Sequence, residues 1–195
     1  MPSFTDSGIL NNRGLYQVHQ SASPLLFTLG SMNAPPSTVK SPSICTQSEL
    51  GDFVAFVLAG GEVDPVGLPE RVKNAHSLAF LRAGNCLIGV AGLKLLSKNR
   101  LNEVSSGAGV NLSEQDFSLE LGWVFVLPSA RGGKSYPLCA PLVSAAQGAG
   151  IFATSRSGNT PMHTTLKKMG FTRQGGEWPS GQNPDNLRLF SKHAA

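Results

Sequence analysis

The chain has 195 residues, the length of one ordinary domain, and 41% of them are apolar, enough for a real core. Only 14% are charged and the net charge is +4, which excludes a disordered polyelectrolyte and is too small to demand nucleic acid as a partner. The three cysteines (Cys45, Cys86, Cys139) form no CxxC pair and the four histidines are scattered, so a disulfide scaffold and a metal site are both set aside and a reducing, cytoplasmic compartment is expected.

Residues 1–44 hold eight Ser and five Pro, with only Asp6, Arg13 and Lys40 charged. They read as a flexible leader with at most one edge strand, Leu25 to Leu29, and Met32 is an alternative start. No secretory signal pattern stands here, and no apolar run in the chain approaches the ~20 residues of a membrane span. The folded domain is expected over residues 45–195.

Thr46-Gln47-Ser48-Glu49 is a capping box, and Leu50, Phe53, Val54 and Val57 follow at helical spacing until Gly60 and Gly61. Pro69 to Asn74 predicts a second short helix. His76 to Arg82 and Cys86 to Lys94 are apolar runs about Gly84-Asn85, the pattern of a β-hairpin. Residues 97–116 are polar and read as a long loop, of the kind that is functional or mobile. Phe117 to Leu127 is the strongest strand signal, and its apolar stretch marks it as central. Pro128 ends it. Ser135 is then expected to cap a helix carrying Leu138, Leu142 and Ala145. Ile151 to Thr154 predicts a short strand, and Thr160-Pro161 opens a helix bearing Met162, Leu166 and Met169. Phe171 to Trp178 and Asn186 to Lys192 predict a final strand pair. The order is that of a mixed α/β sandwich.

The informative stretch is Glu120 to Tyr136: a buried strand, the turn Arg131-Gly132-Gly133-Lys134, then a helix start. Such a turn aims successive backbone N–H groups at one point, where the helix dipole also favours an anion, and Arg131 and Lys134 add charge. Gly133-Lys134-Ser135 fits the end of a P-loop. Its leading glycine would fall on Pro128, however, and the next strand, Ile151-Phe152-Ala153-Thr154, lacks the Asp that would help hold magnesium.

The same stretch resembles the core motif of the Gcn5-related N-acetyltransferase (GNAT) superfamily: an apolar strand, V-x-P, then R-x-x-G-x-G/A opening a helix. Asn159-Thr160-Pro161-Met162 followed by Leu166 to Phe171 resembles that family's second motif, and the resemblance covers roughly residues 46–192. It implies a mixed, mostly antiparallel twisted sheet with splayed central strands and flanking helices. It also implies acetyl-CoA as co-substrate, lying in the splay, and no metal. Carried onto this chain, the pantetheine arm meets the backbone of Val124, Phe125 and Val126. The pyrophosphate meets the N–H groups of Arg131, Gly132, Gly133, Lys134, Ser135 and Tyr136, and Asn159 bonds the cofactor near its pantetheine end. Lys134 and Tyr136 stand where the family has glycines, and Leu166 stands where it often has an acidic Tyr.

The implied reaction is acetyl transfer to a primary amine by direct attack in a ternary complex. The amine has to lose a proton, and Glu120 is the candidate general base, with a strand N–H such as that of Val126 polarising the carbonyl. The alternative is a CoA-binding relic that serves as a regulatory or interaction module. The acceptor is open among a small molecule, a peptide and an aminoacyl-tRNA, no membrane is expected as a partner, and a homodimer is left open. Cys139, Trp123, Phe125, Phe152 and Trp178 read more simply as packing residues, His163 as a surface helix histidine, and Lys167, Lys168 and Arg173 as a solvated face.

Overall fold

The computed structural model describes residues 37–181 and 184–194. The expected edge strand at Leu25 to Leu29 and the alternative start at Met32 lie outside them. The sheet begins earlier than the expected boundary at Cys45. Strand β1, Ser37–Lys40, pairs antiparallel with β2, Ser77–Ala83, and a 3-10 turn follows at Pro42–Ile44. Serine and proline dominate this stretch and hide the strand, which is specified by its partner and not by its own pattern. Helix α1, Gln47–Ala59, starts at the capping box: Thr46 Oγ1 accepts from Glu49 N, and the Glu49 carboxylate accepts from Thr46 N. Lys40 pairs with Glu49 at 2.6 Å and ties β1 to that cap. Helix α2 is Leu68–Lys73, and β2 turns through Gly84-Asn85 into β3, Cys86–Leu95.

The long loop expected at 97–116 is instead largely helix α3, Lys98–Ala108. Ser97 Oγ caps it at Arg100 N, and Gly109 closes it in the left-handed region at φ 67°. Its buried residues, Leu101, Val104 and Ala108, are three and four apart, a narrow stripe among serines and a glycine of low helix propensity. Packing against Phe117, Phe152 and Leu189 outweighs that propensity.

Strand β4, Leu119–Val126, leads through a 3-10 turn at Pro128–Ala130 to helix α4, Ser135–Ala145. Ser135 is the first helical residue and not its cap; the cap position is Lys134, whose side chain makes no capping bond. Pro141 lies inside α4 and cannot donate to the carbonyl of Pro137 four residues back. Ser37 Oγ of β1 donates to that carbonyl instead, at 2.8 Å. Strand β5, Ile151–Arg156, helix α5, Thr160–Lys168, and the pair β6, Thr172–Pro179, and β7, Asn186–Lys192, complete the chain.

The sheet has seven strands in the order β1-β2-β3-β4-β5-β7-β6, and β4–β5 is its parallel pair. It is a mixed, mostly antiparallel open sheet with flanking helices. On one face α4 and α5 bury Leu138, Leu142 and Leu166 against Ala91, Leu93, Leu121, Ile151 and Phe190. On the other, α1 and α2 cover Leu78, Phe80, Val90 and Trp123, while α3 covers Phe152 and Leu189. A seam between the two helical groups therefore lies over β4 and β5. Among the described residues no helix is long and apolar enough to cross a membrane.

Because β1 carries Val39 against the core and satisfies Pro137, it belongs to the folded unit. A chain beginning at Ser41 should be less stable than one beginning at Ser37 by about 2–4 kcal/mol, from one lost apolar contact and several lost hydrogen bonds. Thermal unfolding of the two chains measures it, and equal midpoints would show β1 to be dispensable.

Candidate functional site

β4 and β5 pair only at Leu119↔Ile151 and Glu120↔Phe152. Beyond Glu120 the two strands part, although β4 continues to Val126 and β5 to Arg156. The edge of β4 that faces β5 thus carries open backbone groups in the middle of a sheet. On its other side β4 stays paired with β3, with a register shift between Val90 and Gly92. The shift coincides with Trp123 at φ 54°, a left-handed conformation that costs a non-glycine residue about 1–2 kcal/mol. Facing it, Gly92 leaves the space that the indole needs: a Cβ there would stand 2.7 Å from Trp123 Cε3. Trp123 then packs edge-on to Phe53 of α1, with ring centroids 6.0 Å apart.

The bulge resets the alternation of β4. Leu119 and Leu121 face α4, and so do Val124 and Val126, while Phe125 joins Trp123 under α1. Leu127 donates its amide to Ile88 of β3, so the amides of Val126 and Val124 fall on the open edge. Val124 and Val126 thus carry open amides at the splay, while Phe125, the third residue expected on the cofactor arm, pairs with Val90 of β3.

The turn after β4 lies at the same end. Gly132 and Gly133 both have positive φ, 108° and 70°, while Arg131 has an extended backbone and Lys134 an ordinary helical one. The backbone freedom that the resemblance assigns to positions 134 and 136 sits two and three residues earlier. Among the described residues the amides of Gly132, Gly133 and Lys134 donate to no backbone carbonyl, and Ser135 and Tyr136 open α4 without a side-chain cap. Five successive amides are thus free for an anion at a helix N-terminus. Arg131, Gly132, Gly133 and Tyr136 are exposed, and Lys134 and Ser135 half-buried. An open strand edge followed by an uncapped amide cluster fits an extended amide-bearing arm that ends in a diphosphate, the shape of CoA.

Glu120, the expected base, sits in an ion triad. It is 3% exposed and lies between two cations. Lys94 Nζ, in register with it on β3, is 2.7 Å from Oε2. Arg100 of α3 donates through Nε to Oε2 at 3.2 Å and through Nη2 to Oε1 at 2.9 Å, and Nη2 also donates to Thr154 Oγ1 of β5 at 3.1 Å. Burial alone would raise the carboxyl pKa, but Lys94 and Arg100 outweigh it and hold Glu120 below the usual carboxylate range. A carboxylate so held is a poor proton acceptor. Lys94, by contrast, is pulled down, because its burial costs more than a carboxylate shared with Arg100 returns. Neither cation stood out in the sequence. Lys94 ends an apolar run, and Arg100 falls in the stretch read as loop.

The remaining candidates separate clearly. Asn159 caps α5, its Oδ1 accepting from Met162 N at 3.2 Å, so it sits exposed where β5 turns into α5. His163, expected on the helix surface, is instead a core histidine. Its Nε2 donates to the Arg156 carbonyl at 3.0 Å, its ring lies on Phe190, and burial lowers its pKa. Cys139 is fully buried, with its thiol pushed up to about 12, and is inert. Leu166 is fully buried in the core, so it supplies no acid. Lys167, Lys168 and Arg173 are exposed, and Trp178 packs beside α3. Among the described residues no group of three His, Cys, Asp or Glu is placed to hold a metal ion.

Glu120→Gln leaves two cations about a neutral amide, and the loss of stability should be roughly 3–5 kcal/mol. The sign with pH follows from the lowered pKa. The contribution is present above the unfolded carboxylate value, about 4.3, and is lost as pH falls from there through the lower folded-state value. Urea unfolding against pH should show this acid limb in the native chain and a flatter one in the variant.

No protein-family model matches the chain, and no curated protein matches its sequence. Solved structures do match. A GNAT-family acetyltransferase from Bacillus cereus superposes with a TM-score of 0.55 at 14% identity, over 82% of this chain and 98% of that one. A ribosomal-protein-alanine N-acetyltransferase from Brucella melitensis gives 0.57 at 18% identity, over 80% and 99%. An acetyltransferase structure from Salmonella typhimurium, solved with acetyl-CoA as its cofactor, gives 0.56 at 14% identity, over 80% and 93%. With the parted central strands, the bulge in β4 and the amide cluster at α4 on the same scaffold, the chain has the acyl-CoA N-acyltransferase fold of the GNAT superfamily.

Proposed function

We propose that the chain is an N-acetyltransferase that moves an acetyl group from acetyl-CoA to a primary amine by direct attack in a ternary complex. The observation that carries this reading is the open edge of β4 running into the free amides of Gly132 to Tyr136. The Salmonella neighbour with acetyl-CoA supports it. The three free thiols suit a reducing compartment such as the cytoplasm.

When bound, acetyl-CoA supplies an activated acyl thioester. The chain's own residues do the rest. Val124 and Val126 offer open backbone groups to the amide-bearing arm, and in this reading the amide of Val126 donates to the polarised carbonyl. The amides of Gly132, Gly133, Lys134, Ser135 and Tyr136, with the side chains of Arg131 and Lys134, neutralise the diphosphate. Asn159 keeps its side-chain NH₂ for the arm while its oxygen caps α5. With Glu120 engaged by Lys94 and Arg100, this reading gives it no proton-accepting role. Lys94 and Arg100 instead disfavour a protonated amine nearby, so the acceptor reacts in its neutral form.

A second reading, CoA binding without turnover, is favoured by Leu166 at the acid position and by the locked Glu120. Thioester cleavage on addition of a broad amine panel distinguishes the two.

Calorimetry should show acetyl-CoA binding and no binding of ATP with magnesium. Lys134→Ala should weaken acetyl-CoA about tenfold, the worth of one charge-assisted contact, with no change in unfolding midpoint. Binding of ATP in place of acetyl-CoA would overturn the reading.

A further inference from the structure

β5 reads Ile151-Phe152-Ala153-Thr154-Ser155-Arg156, and its alternation sorts these side chains between the two faces of the sheet. Phe152 lies under α3, and Thr154 accepts from Arg100 of that helix. Ile151 and Ala153 pack into the α4–α5 core, so Ser155 returns to that face. Helix α5 starts back over this end of β5, where the Arg156 carbonyl accepts from Asn159 N and from His163 Nε2. Leu166 follows about one turn later on the same helix, buried in the same layer.

On the β4 side of Ser155 the sheet is open. β4 and β5 run parallel from the pair Glu120 and Phe152, and three residues further on they reach Trp123 and Ser155, already unpaired. Val124, with its open amide, comes next on β4 and shares the α4 face. Ser155 and Val124 thus stand on opposite sides of the gap. An arm whose diphosphate is held at Gly132 to Tyr136 runs back along β4 past Val126 to Val124, which brings its reactive end to Ser155.

Ser155 is only 7% exposed, and among the described residues its Oγ has no hydrogen-bond partner. Other buried polar side chains in this layer are satisfied, His163 by the Arg156 carbonyl and Thr165 by the Pro161 carbonyl. An orphaned buried hydroxyl is unfavourable to the fold, and native chains rarely keep one. Ser191 Oγ is orphaned too, but β7 is paired on both sides there, with Phe152 and Thr172, and offers no opening to a ligand. Around Ser155 the face is apolar: the side chains of Leu121, Val124, Ala153, Met162 and Leu166 carry no donor. A sulfur that departs into such surroundings with the electron pair of a broken bond needs one. Leu166 cannot serve, and Ser155 can.

We propose that Ser155 is a catalytic residue whose hydroxyl donates a hydrogen bond to the thioester sulfur as it departs. This rests on the acetyl-transfer reading and deepens it by naming the group that serves the leaving thiolate. The amine nitrogen forms the new C–N bond, the C–S bond breaks, and its electron pair stays on sulfur. The nitrogen gives its proton to water. Ser155 keeps its own, because an alcohol is a far weaker acid than a thiol. Aiming the hydroxyl at the gap requires no more than a rotation about χ1.

The test titrates the thiol of bound CoA by its ultraviolet absorbance, with the desulfo-CoA complex as the blank for the chain's own cysteines. A donor to sulfur favours the thiolate, whereas apolar burial opposes it. The CoA thiol should therefore be about tenfold more acidic on the native chain than on Ser155→Ala, from one charge-assisted hydrogen bond. Affinity for desulfo-CoA should be the same for both chains. Without ligand, Ser155→Ala should unfold at a midpoint no lower than the native chain, because it removes an unpaired polar group. Equal thiol acidity in two chains that both bind CoA overturns the proposal. So does a lower midpoint for the variant, which would show that the hydroxyl already has a partner such as a buried water. In the native chain itself the bound thiol should be no less acidic than that of free CoA, and a less acidic one overturns the proposal as well. Failure of the native chain to bind CoA, read separately by calorimetry, would overturn the acetyl-transfer reading and not merely the role of Ser155.

Discussion

Two cations share one carboxylate at the position where the central strands of the sheet separate. Glu120 is the last residue of β4 that pairs with β5, and on its other side it is in register with Lys94 of β3. A sheet that stayed paired to its end would offer no edge to a ligand. Arg100 bonds to both strands at the fork, to Glu120 and to Thr154, so one guanidinium sets their separation on that face. The planar, multi-donor geometry of arginine suits this bridging, and a lysine could not make the same set of bonds. Such a buried triad contributes little net stability compared with apolar packing, but it cannot lose its anion without leaving two charges stranded. Its value lies in geometry.

The bulge at Trp123 and the turn at Gly132-Gly133 extend that constraint along β4. Once the strand is free of β5, the left-handed residue shifts its alternation by one. The apolar residues Val124 and Val126 then still reach the α4 core while their amides point into the gap. Two positive-φ glycines bend the chain so that α4 begins with no cap. Helix α4 tolerates Pro141 because β1, at the far edge of the sheet, donates Ser37 to the carbonyl the proline leaves unpaired. The site thus depends on contacts between segments up to 100 residues apart in sequence.

Much of the fold was legible locally. The capping box at Thr46, the Gly84-Asn85 hairpin, the apolar run of β4 and the Pro161 helix start each depend on neighbours within a few residues, and each formed as expected. Helix α3 was not legible. Its stripe of Leu101, Val104 and Ala108 is too narrow among serines and a glycine to outweigh the polar composition, and only Phe117, Phe152 and Leu189 make it worth forming. Strand β1 was hidden for the same reason, since an edge strand of Ser, Thr, Val and Lys has no pattern until β2 supplies its partner.

The site divides along the same line. The amide cluster could be read from the sequence, because a strand, two glycines and a helix start in succession determine where backbone N–H groups point. The role of Glu120 could not. Alternation puts its side chain on one face of the sheet and says nothing of what waits there. That Lys94 comes from the neighbouring strand and Arg100 from a helix twenty residues earlier was decided by tertiary packing. A carboxylate's pKa is set by burial and by charges a few ångströms away, so the difference between a general base and the anchor of an ion triad lies in three-dimensional neighbours and not in the residue or its strand.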